Sequence, residues 1–520
     1  CAGFSTHFGT LKFSLEDLGD QPNTNIYVRD PPPPPIPEPA PMLLWPRPAD
    51  VSYGNDSVSI SHAFSFKAIS ESFPLLDDTL KRYQQILLPK SAPQHVSSGA
   101  LLQGCDVLVA STSTSLNADM DEAYTLYVPT EGRATLSAKT LWGAMRGLET
   151  FVSLWDATQT LAAAPVTVTD APRYPHRGLM IDSSRHFLPL SIILQHIEAM
   201  SAAKMNVLHW HLIDAQSWPL NLTSLPRAAE ISAWAPQLTY NAQEVKSVVD
   251  FAYRRGIRVI PELDMPAGHF SSFVRGYPEL AAGPTISGVF SQNLDPTNPE
   301  VFSALRKLFA ELADLFPSRE IHVGFDEVDL NGWNTTKIDA WMAHHNMTQL
   351  KDVESFFLDT IRELAKDVGF KTTIWDDPVG EGVTVPADVT LQVWGGGPDK
   401  VSSLCKQGYN VVYSSPFYLD HLDNGWDTIY SNTDLETPFT HFLGAEACMW
   451  GESVDKTNAV PRVWPRAAAL AEILWSPGYD SYPRIPARNQ DRLARWRCGV
   501  TGRGVAAEPV QAGFCPSDVE

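Results

Sequence analysis

Cysteine is scarce in this chain, with six in 520 residues, too few for a disulfide scaffold, so the fold must rest on buried apolar surface. Basic charge is short too. Thirty-nine Lys and Arg face sixty Asp and Glu, a formal charge of -21, which argues against attraction to phosphate backbones or anionic lipid. Neither nucleic acid nor membrane is an expected partner. Long apolar runs are missing as well: a bilayer needs about 18–20 consecutive apolar residues, and candidates such as Leu470 to Trp475 are short and polar at their flanks. What remains is a 44% hydrophobic chain that can bury one large core or two ordinary ones, and two domains are expected.

Cys498 and Cys515 bracket a Gly- and Pro-containing tail, where a disulfide would tie down the chain end. Cys448 lies in an apolar run and reads as a free buried thiol. Asn55, Asn221, Asn334 and Asn346 each head an Asn-x-Ser/Thr sequon, and the numbering starts at Cys1 rather than Met. Together these favour a secreted or lysosomal/vacuolar location.

Residues 31–41, almost all proline, read as an extended polyproline II linker closing an N-terminal segment of residues 1–43. From 44 to 170, short apolar alternations mix with two helical stretches, a small α+β domain. From 171 to 490 the rhythm changes to short, wholly apolar runs alternating with long amphipathic segments, the signature of buried parallel strands crossed over by helices. Eight such strands are expected: 176–182, 207–213, 257–263, 320–327, 372–377, 390–394, 410–415 and 443–449. Helices are expected at 190–204, 241–255, 299–316, 350–368 and 461–475, with Gly256 and Gly369 as left-handed stops. Eight βα units over about 300 residues define an α/β fold, a (β/α)8 TIM barrel preceded by the small domain. Residues 491–520 form a C-terminal tail.

In such barrels the chemistry sits just past the C-terminal ends of the strands. The polar residues there are Asp182, Arg185, Asp214, Glu262, Asp264, His269, Asp326, Glu327, Trp375, Asp376, Trp394, Tyr418, Asp420, Trp450 and Glu452. Any one of them has an ordinary structural explanation. Jointly they set carboxylates and an Arg among indoles and a phenol, and a pyranose offers matching hydroxyls at its edge and an apolar C–H face. Asp326 and Glu327 are adjacent, so they do not straddle a glycosidic bond as the paired carboxylates of ordinary glycosidases do. At a strand-to-loop junction both can still reach one pocket, one as acid, the other holding a substrate group.

The runs His176-Arg-Gly-Leu-Met-Ile-Asp-Ser-Ser-Arg-His186, Asn206-Val-Leu-His-Trp-His-Leu-Ile-Asp214, His322-Val-Gly-Phe-Asp-Glu327, Trp394, Pro416-Phe-Tyr-Leu-Asp420 and Gly444-Ala-Glu-Ala-Cys-Met-Trp-Gly-Glu452 resemble β-N-acetylhexosaminidases of glycoside hydrolase family 20. The resemblance covers roughly residues 44–515. It implies an exo-acting, retaining hydrolase of terminal β-linked GlcNAc, and GalNAc, in which the substrate's own 2-acetamido oxygen is the nucleophile. It implies Glu327 as acid and base, Asp326 as the residue orienting the acetamide, and Tyr418 as a donor to its carbonyl. Trp375, Trp394 and Trp450 would wall the sugar; Arg177, selected in place of Arg185, would bind hydroxyls with Glu452 and Asp420; Asp214 and His269 would support Glu327. The charge of Asp326 and the apolar walls are expected to raise the Glu327 carboxyl. A homodimer meeting through loops near Tyr418 and Trp450 is also implied; no cofactor is.

Two other readings use the same residues. His209 and His211, alternating on one strand near Asp182, His186, Asp264 and His269, invite a metal-dependent hydrolase, but mid-strand histidines below the rim are more often structural, and no metal is expected. A non-enzymatic sugar-binding protein would need the aromatics without the Asp326–Glu327 pair.

Overall fold

The computed structural model describes residues 44–89, 100–283, 292–435, 440–478 and 484–515. The polyproline stretch lies outside them. Five strands build the first layer: β1 (Asp50–Ala68), β2 (Ala100–Val109), β3 (Tyr124–Val128), β4 (Gly132–Ala138) and β5 (Thr160–Asp170). They are ordered β1-β2-β4-β3-β5 and close because β1 pairs with both β2 and β5. Alternate residues of β3 are buried, as expected where one sheet face meets a core. Helix Leu141–Ser153, begun by the Thr140 side chain accepting from Gly143 N, is buried at every position from Leu141 to Phe151 because it is sandwiched between this sheet and the larger, C-terminal domain.

The expected barrel is present. Its strands are β6 (His176–Asp182), β7 (Val207–Ile213), β8 (Arg258–Met265), β9 (Glu320–Gly324), β10 (Lys371–Trp375), β11 (Thr390–Val393), β12 (Val411–Tyr413) and β13 (Phe442–Met449). Each is parallel to the next, and β13 returns to β6. Every residue of β6, β7 and β8 is buried, since helices cover the outside and side chains fill the inside. Helix Ala242–Tyr253 opens with an Asn241/Glu244 capping box and ends before Gly256 at φ +66°. Most boundaries shift by one or two residues, and two differences have a local cause. β9 stops at Gly324, not Glu327, because the chain there leaves extended geometry. The last expected helix is two, Ala459–Val463 and Arg466–Trp475, divided at Pro465, which has no amide hydrogen to give.

The terminal helix Pro486–Thr501 carries Cys498, joined to Cys515 by a disulfide. Its Arg492 donates to Leu44 O and to Glu472, so the last helix clamps the first described residues. Cys105, Cys405 and Cys448 are buried free thiols.

Arg177 is not at the strand-end rim. It is the second residue of β6, hence at the N-terminal mouth, and fully buried. Its Nη2 donates to Glu122 Oε1 and Oε2 at 2.6 and 2.7 Å, Nη1 to Tyr174 O and Nε to Lys204 O. Arg146 adds a second cation to Glu122 at 2.8 Å, and Lys204 pairs with Asp170 at 3.0 Å. This is the seam that docks the small domain under the barrel. Removing one member of a buried pair strands the other, at a cost of about 3–5 kcal/mol. Arg177→Met is therefore expected to lose stability on that scale in urea denaturation, while the folded fraction keeps wild-type kcat and KM; a raised KM with unchanged stability would return Arg177 to the substrate.

Candidate active site

A pocket of about 210 Å³ opens at the C-terminal ends of the barrel strands, lined by Arg185, His269, Asp326, Glu327, Trp375, Trp394, Tyr418, Asp420, His421, Trp450 and Glu452. The loops after β6, β8, β9, β10, β11, β12 and β13 thus all contribute. A larger cavity, about 540 Å³, lies between the small domain and the terminal helix, where Glu149 is spent on Arg503; it is remote from the strand ends.

Asp326 and Glu327 reach one pocket because the chain turns sharply after β9. Gly324, Phe325 and Glu327 all have positive φ, at +73°, +68° and +49°, a region that side chains other than glycine's enter only at a cost. At Gly324 a Cβ would lie 1.7 Å from Asp264 Oδ1, so only glycine fits. Phe325 N donates to that same Asp264 oxygen at 3.2 Å, and Glu327 N to Asp377 Oδ1 at 3.4 Å. The two acids end in unlike surroundings: the Asp326 side chain is 12% exposed and that of Glu327 65%.

Behind Glu327 runs an alternation of imidazole and carboxylate through the barrel interior. His269 Nε2 lies 3.5 Å from Glu327 Oε2, and His269 Nδ1 meets Asp214 Oδ1 at 3.0 Å. Asp214 Oδ2 takes the Nε2 proton of His211 at 2.8 Å and Arg185 Nη2 at 2.8 Å. His211 Nδ1 then reaches Glu262 Oε2 at 2.5 Å. Further down, His209 Nε2 sits 3.0 Å from Glu262 Oε2, at ion-pair distance, and its Nδ1 3.0 Å from Glu446 Oε2; Glu446 Oε1 meets His176 Nε2 at 2.6 Å. Gly178 makes the room, since a Cβ there would lie 2.3 Å from Glu446 Cγ. His209–Glu262–His322 and Asp214–Asp264–His269 are grouped closely enough to suggest ligand sets, yet in both an imidazole already faces a carboxylate of the same set. Asp214 therefore does not line the pocket; it acts through His269.

Aromatic side chains form the walls. Trp375 and Trp450 face each other with centroids 5.9 Å apart, and Trp375 Nε1 donates to Glu262 Oε1 at 2.8 Å, so the interior carboxylate also fixes a wall. Trp394 is held by its indole N–H on Asp377. Tyr418 sits on a loop pinned by Arg466, which donates to Leu419 O, His421 O and Asn424 O. Burial raises the Tyr418 hydroxyl far above the phenol range, leaving it a neutral donor. Arg185 closes the far side: it stacks on Trp450 at 5.0 Å, pairs with Asp182 and Asp214, and reaches within 3.9 Å of Glu452. The position expected for Arg177 is thus filled by Arg185.

Electrostatics correct a second expectation. The Glu327 carboxyl is lowered, not raised: a hydrogen bond from His269 is the largest cause, and with the His269 charge it outweighs the opposing burial. The upward shifts fall on its neighbours. Asp326 is raised by burial, and Asp264 is raised well above the carboxylate range by burial and then by the charge of Asp326. His269 is held well above the usual imidazole range by Asp264 and Asp214 in spite of burial. Sequence reasoning passes over Asp377, which resembles an ordinary helix-start carboxylate, His421 as a lining residue, and Glu446, whose signal is a carboxylate in the middle of the apolar run 443–449.

An acid pair with an imidazole behind it, inside an indole-walled pocket at the mouth of a (β/α)8 barrel, defines the class as an enzyme acting on sugars. The profile described as "Glycosyl hydrolase family 20, catalytic domain" matches residues 174–478, and one described as "beta-acetyl hexosaminidase like" matches residues 44–154. The chain is 34% identical to beta-hexosaminidase subunit alpha of Rattus norvegicus over 92% of its own length and 96% of that protein's. It is also 34% identical to subunit beta of Homo sapiens over 91% and 89%. A chitobiase structure from Flavobacterium johnsoniae superposes with a TM-score of 0.78 at 27% identity, covering 90% of this chain and 73% of that one. The chain belongs to glycoside hydrolase family 20, and it is a glycoside hydrolase.

The interior histidines give the fold a pH signature. Burial opposes charge on His209 and His211, but Glu446 and Glu262 outweigh it and hold them at about 9 and about 10. Raised above the free value of about 6.5, they contribute fully below that pH and lose the contribution as pH climbs through 9 to 10. His196, pushed down to about 3 by burial, and the lowered carboxyls of Glu262 and Glu446 work the other way and lose theirs as pH falls. Thermal melting is expected to peak near about pH 6–7 and decline on both sides; a melting temperature still rising at pH 9 would mean that the interior imidazoles are uncharged.

Proposed function

We propose that this enzyme removes terminal, non-reducing β-linked GlcNAc, and GalNAc, with retention at the anomeric carbon, and that the substrate's acetamide is the nucleophile. The observation that carries this reading is the position of Asp326: a carboxylate buried inside the indole walls, one residue from the exposed Glu327. A covalent nucleophile would stand about 5 Å across the scissile bond from the acid. A neighbour on the same turn is better placed to receive an amide N–H.

In the first step the acetamide carbonyl oxygen bonds to the anomeric carbon, the glycosidic C–O bond breaks, and Glu327 gives its proton to the leaving oxygen. Asp326 accepts from the amide N–H and opposes the positive charge of the oxazolinium ring; Tyr418 donates to the acetamide oxygen, and Trp375, Trp394 and Trp450 exclude water around it. In the second step water attacks the anomeric carbon and its proton passes to Glu327, restoring the amide. Two inversions give retention. Arg185 and Glu452 are placed for the hydroxyls at C3 and C4, Asp420 for that at C6. His269, oriented by Asp214, holds Glu327. Because His269 lowers Glu327 and the acid must be protonated, kcat/KM should fall as pH rises from the acid side.

Four sequons with exposed Asn55, Asn221, Asn334 and Asn346, together with the disulfide, support a secreted or lysosomal/vacuolar enzyme, and an acidic optimum suits that location. Among the described residues no helix is long and apolar enough to cross a membrane. The homodimer through the loops near Tyr418 and Trp450 belongs to the same proposal; sedimentation at two concentrations tests it.

The deciding experiment compares 4-nitrophenyl β-N-acetylglucosaminide with the plain β-glucoside, which has no acetamide; equal turnover of the two would sink the reading. Glu327→Gln should lose about 10²–10⁴-fold with poor leaving groups and much less with 4-nitrophenol, whereas Asp326→Asn should lose activity with every leaving group. Arg185→Ala should raise KM and lower kcat together, unlike Arg177→Met.

A further inference from the structure

Asp264 is a carboxyl beside the pocket that the mechanism leaves without work. It ends β8, its side chain is 3% exposed, and its Oδ1 takes Phe325 N–H at 3.2 Å. Its other oxygen, Oδ2, is buried with no hydrogen-bond donor, and so is Oδ1 of Asp326. The two carboxyls are in hydrogen-bonding contact with each other. A buried oxygen without a donor is costly, and two facing carboxylates are costlier. One proton shared by the pair removes the repulsion and supplies a donor where the described residues otherwise offer none to these oxygens.

The other groups around Asp264 do not supply that proton. His269 Nδ1 is 3.8 Å from Asp264 Oδ2 but its hydrogen bond goes to Asp214 at 3.0 Å, and with Asp264 neutral its charge rests on Asp214 and Asp326. Glu262, on the same strand, adds like charge, and Arg185, which feels Asp264 only at longer range, is paired with Asp182 and Asp214. Gly324 is what allows the contact, since any side chain there would occupy the place of Asp264 Oδ1.

We propose that Asp264 is a positioning residue that stays protonated through the reaction: its O–H donates to Asp326, fixes the rotamer of that carboxylate, and keeps it an anion facing the acetamide. The pair titrates as a unit, and the more enclosed member, Asp264 at 3% against Asp326 at 12% exposure, keeps the proton. At alkaline pH the shared proton is lost, the two anions repel, and Asp326 leaves its productive position.

This inference rests on the role given to Asp326 above, and the test separates the two. Asp264→Ala removes the donor and should lower kcat about 10²-fold with all leaving groups, the scale of losing one preorganised donor. Asp264→Asn replaces the O–H with an amide N–H that cannot ionise; it should recover at least about tenfold of that loss and move the alkaline limb of kcat upward. An Asn variant as impaired as Ala, with wild-type melting, would show that the anion of Asp264 is what matters and would overturn the proposal. Infrared difference spectra give a readout that needs no activity: wild type minus Asp264→Asn at neutral pH should show a protonated-carboxyl band. A difference spectrum that shows a lost carboxylate band instead would also overturn it, and because it is a difference the band of Glu354, whose carboxyl burial raises to about 8, cancels. If instead Asp326→Asn leaves hydrolysis intact, the mechanism itself has failed, whatever Asp264 does.

Discussion

Charge placed inside a closed barrel has no water to lean on, and this constraint shapes the rest of the molecule. Barrels of this kind normally fill their interior with branched apolar side chains. Here β7, β8 and β13 send His209, His211, Glu262 and Glu446 inward instead, each at most 1% exposed. Such a network is tolerable only if its members satisfy one another. Imidazole and carboxylate do so by alternating, except at His209 Nε2 and His322 Nε2, which have no hydrogen bond among the described residues, and at the upper end the alternation leaves the protein core through Asp214 and His269 and arrives at Glu327. Because Glu262 also holds Trp375, Glu327 and a wall of the pocket trace back to the same buried group.

A second constraint is backbone room. Gly178 yields space to Glu446, and Gly324 yields it to Asp264. Each substitutes a missing Cβ for what would otherwise be a clash with a carboxylate. The left-handed turn at Phe325 and Glu327 follows from the second of these: once the chain must pass over Asp264, it cannot continue as a strand, and adjacent residues come to serve one pocket. Strain is stored where the chemistry is, and the strands on either side hold it there.

The barrel is legible in the sequence because parallel strands buried on both faces read as unbroken apolar runs, and β6 and β7 match their expected ranges residue for residue. The aromatic and acidic lining is legible because barrels put chemistry at strand ends. The expectations that fail do so for reasons that lie in three dimensions. Phe325 and Glu327 carry no local mark of left-handed geometry, so the sequence pattern makes β9 too long. Arg177 near the start of β6 and Arg185 just past its end differ in which mouth they serve; the strand's own limits, 176–182, place Arg177 at the N-terminal mouth, against the role that the family resemblance implies for it. The direction of the Glu327 shift needs the imidazole of His269, which comes from 58 positions earlier and is invisible to composition.

The lowered Glu327 carboxyl suits the two steps proposed for the reaction. A residue that gives a proton in one step and recovers it from water in the next must sit where water can reach it, and a half-open carboxylate facing a cationic imidazole meets that need. A residue that stabilises a buried positive charge needs the reverse: enclosure, so that its field is not screened, and a fixed direction. Exposure of 65% at Glu327 and 12% at Asp326 therefore suits the two different roles proposed for these neighbouring carboxyls. The enclosure that serves Asp326 also drives its own proton affinity up, and an anion kept in that position requires a donor at its back. The seam between β8 and β9, where Asp264 meets Asp326 over Gly324, is where such a donor would have to stand.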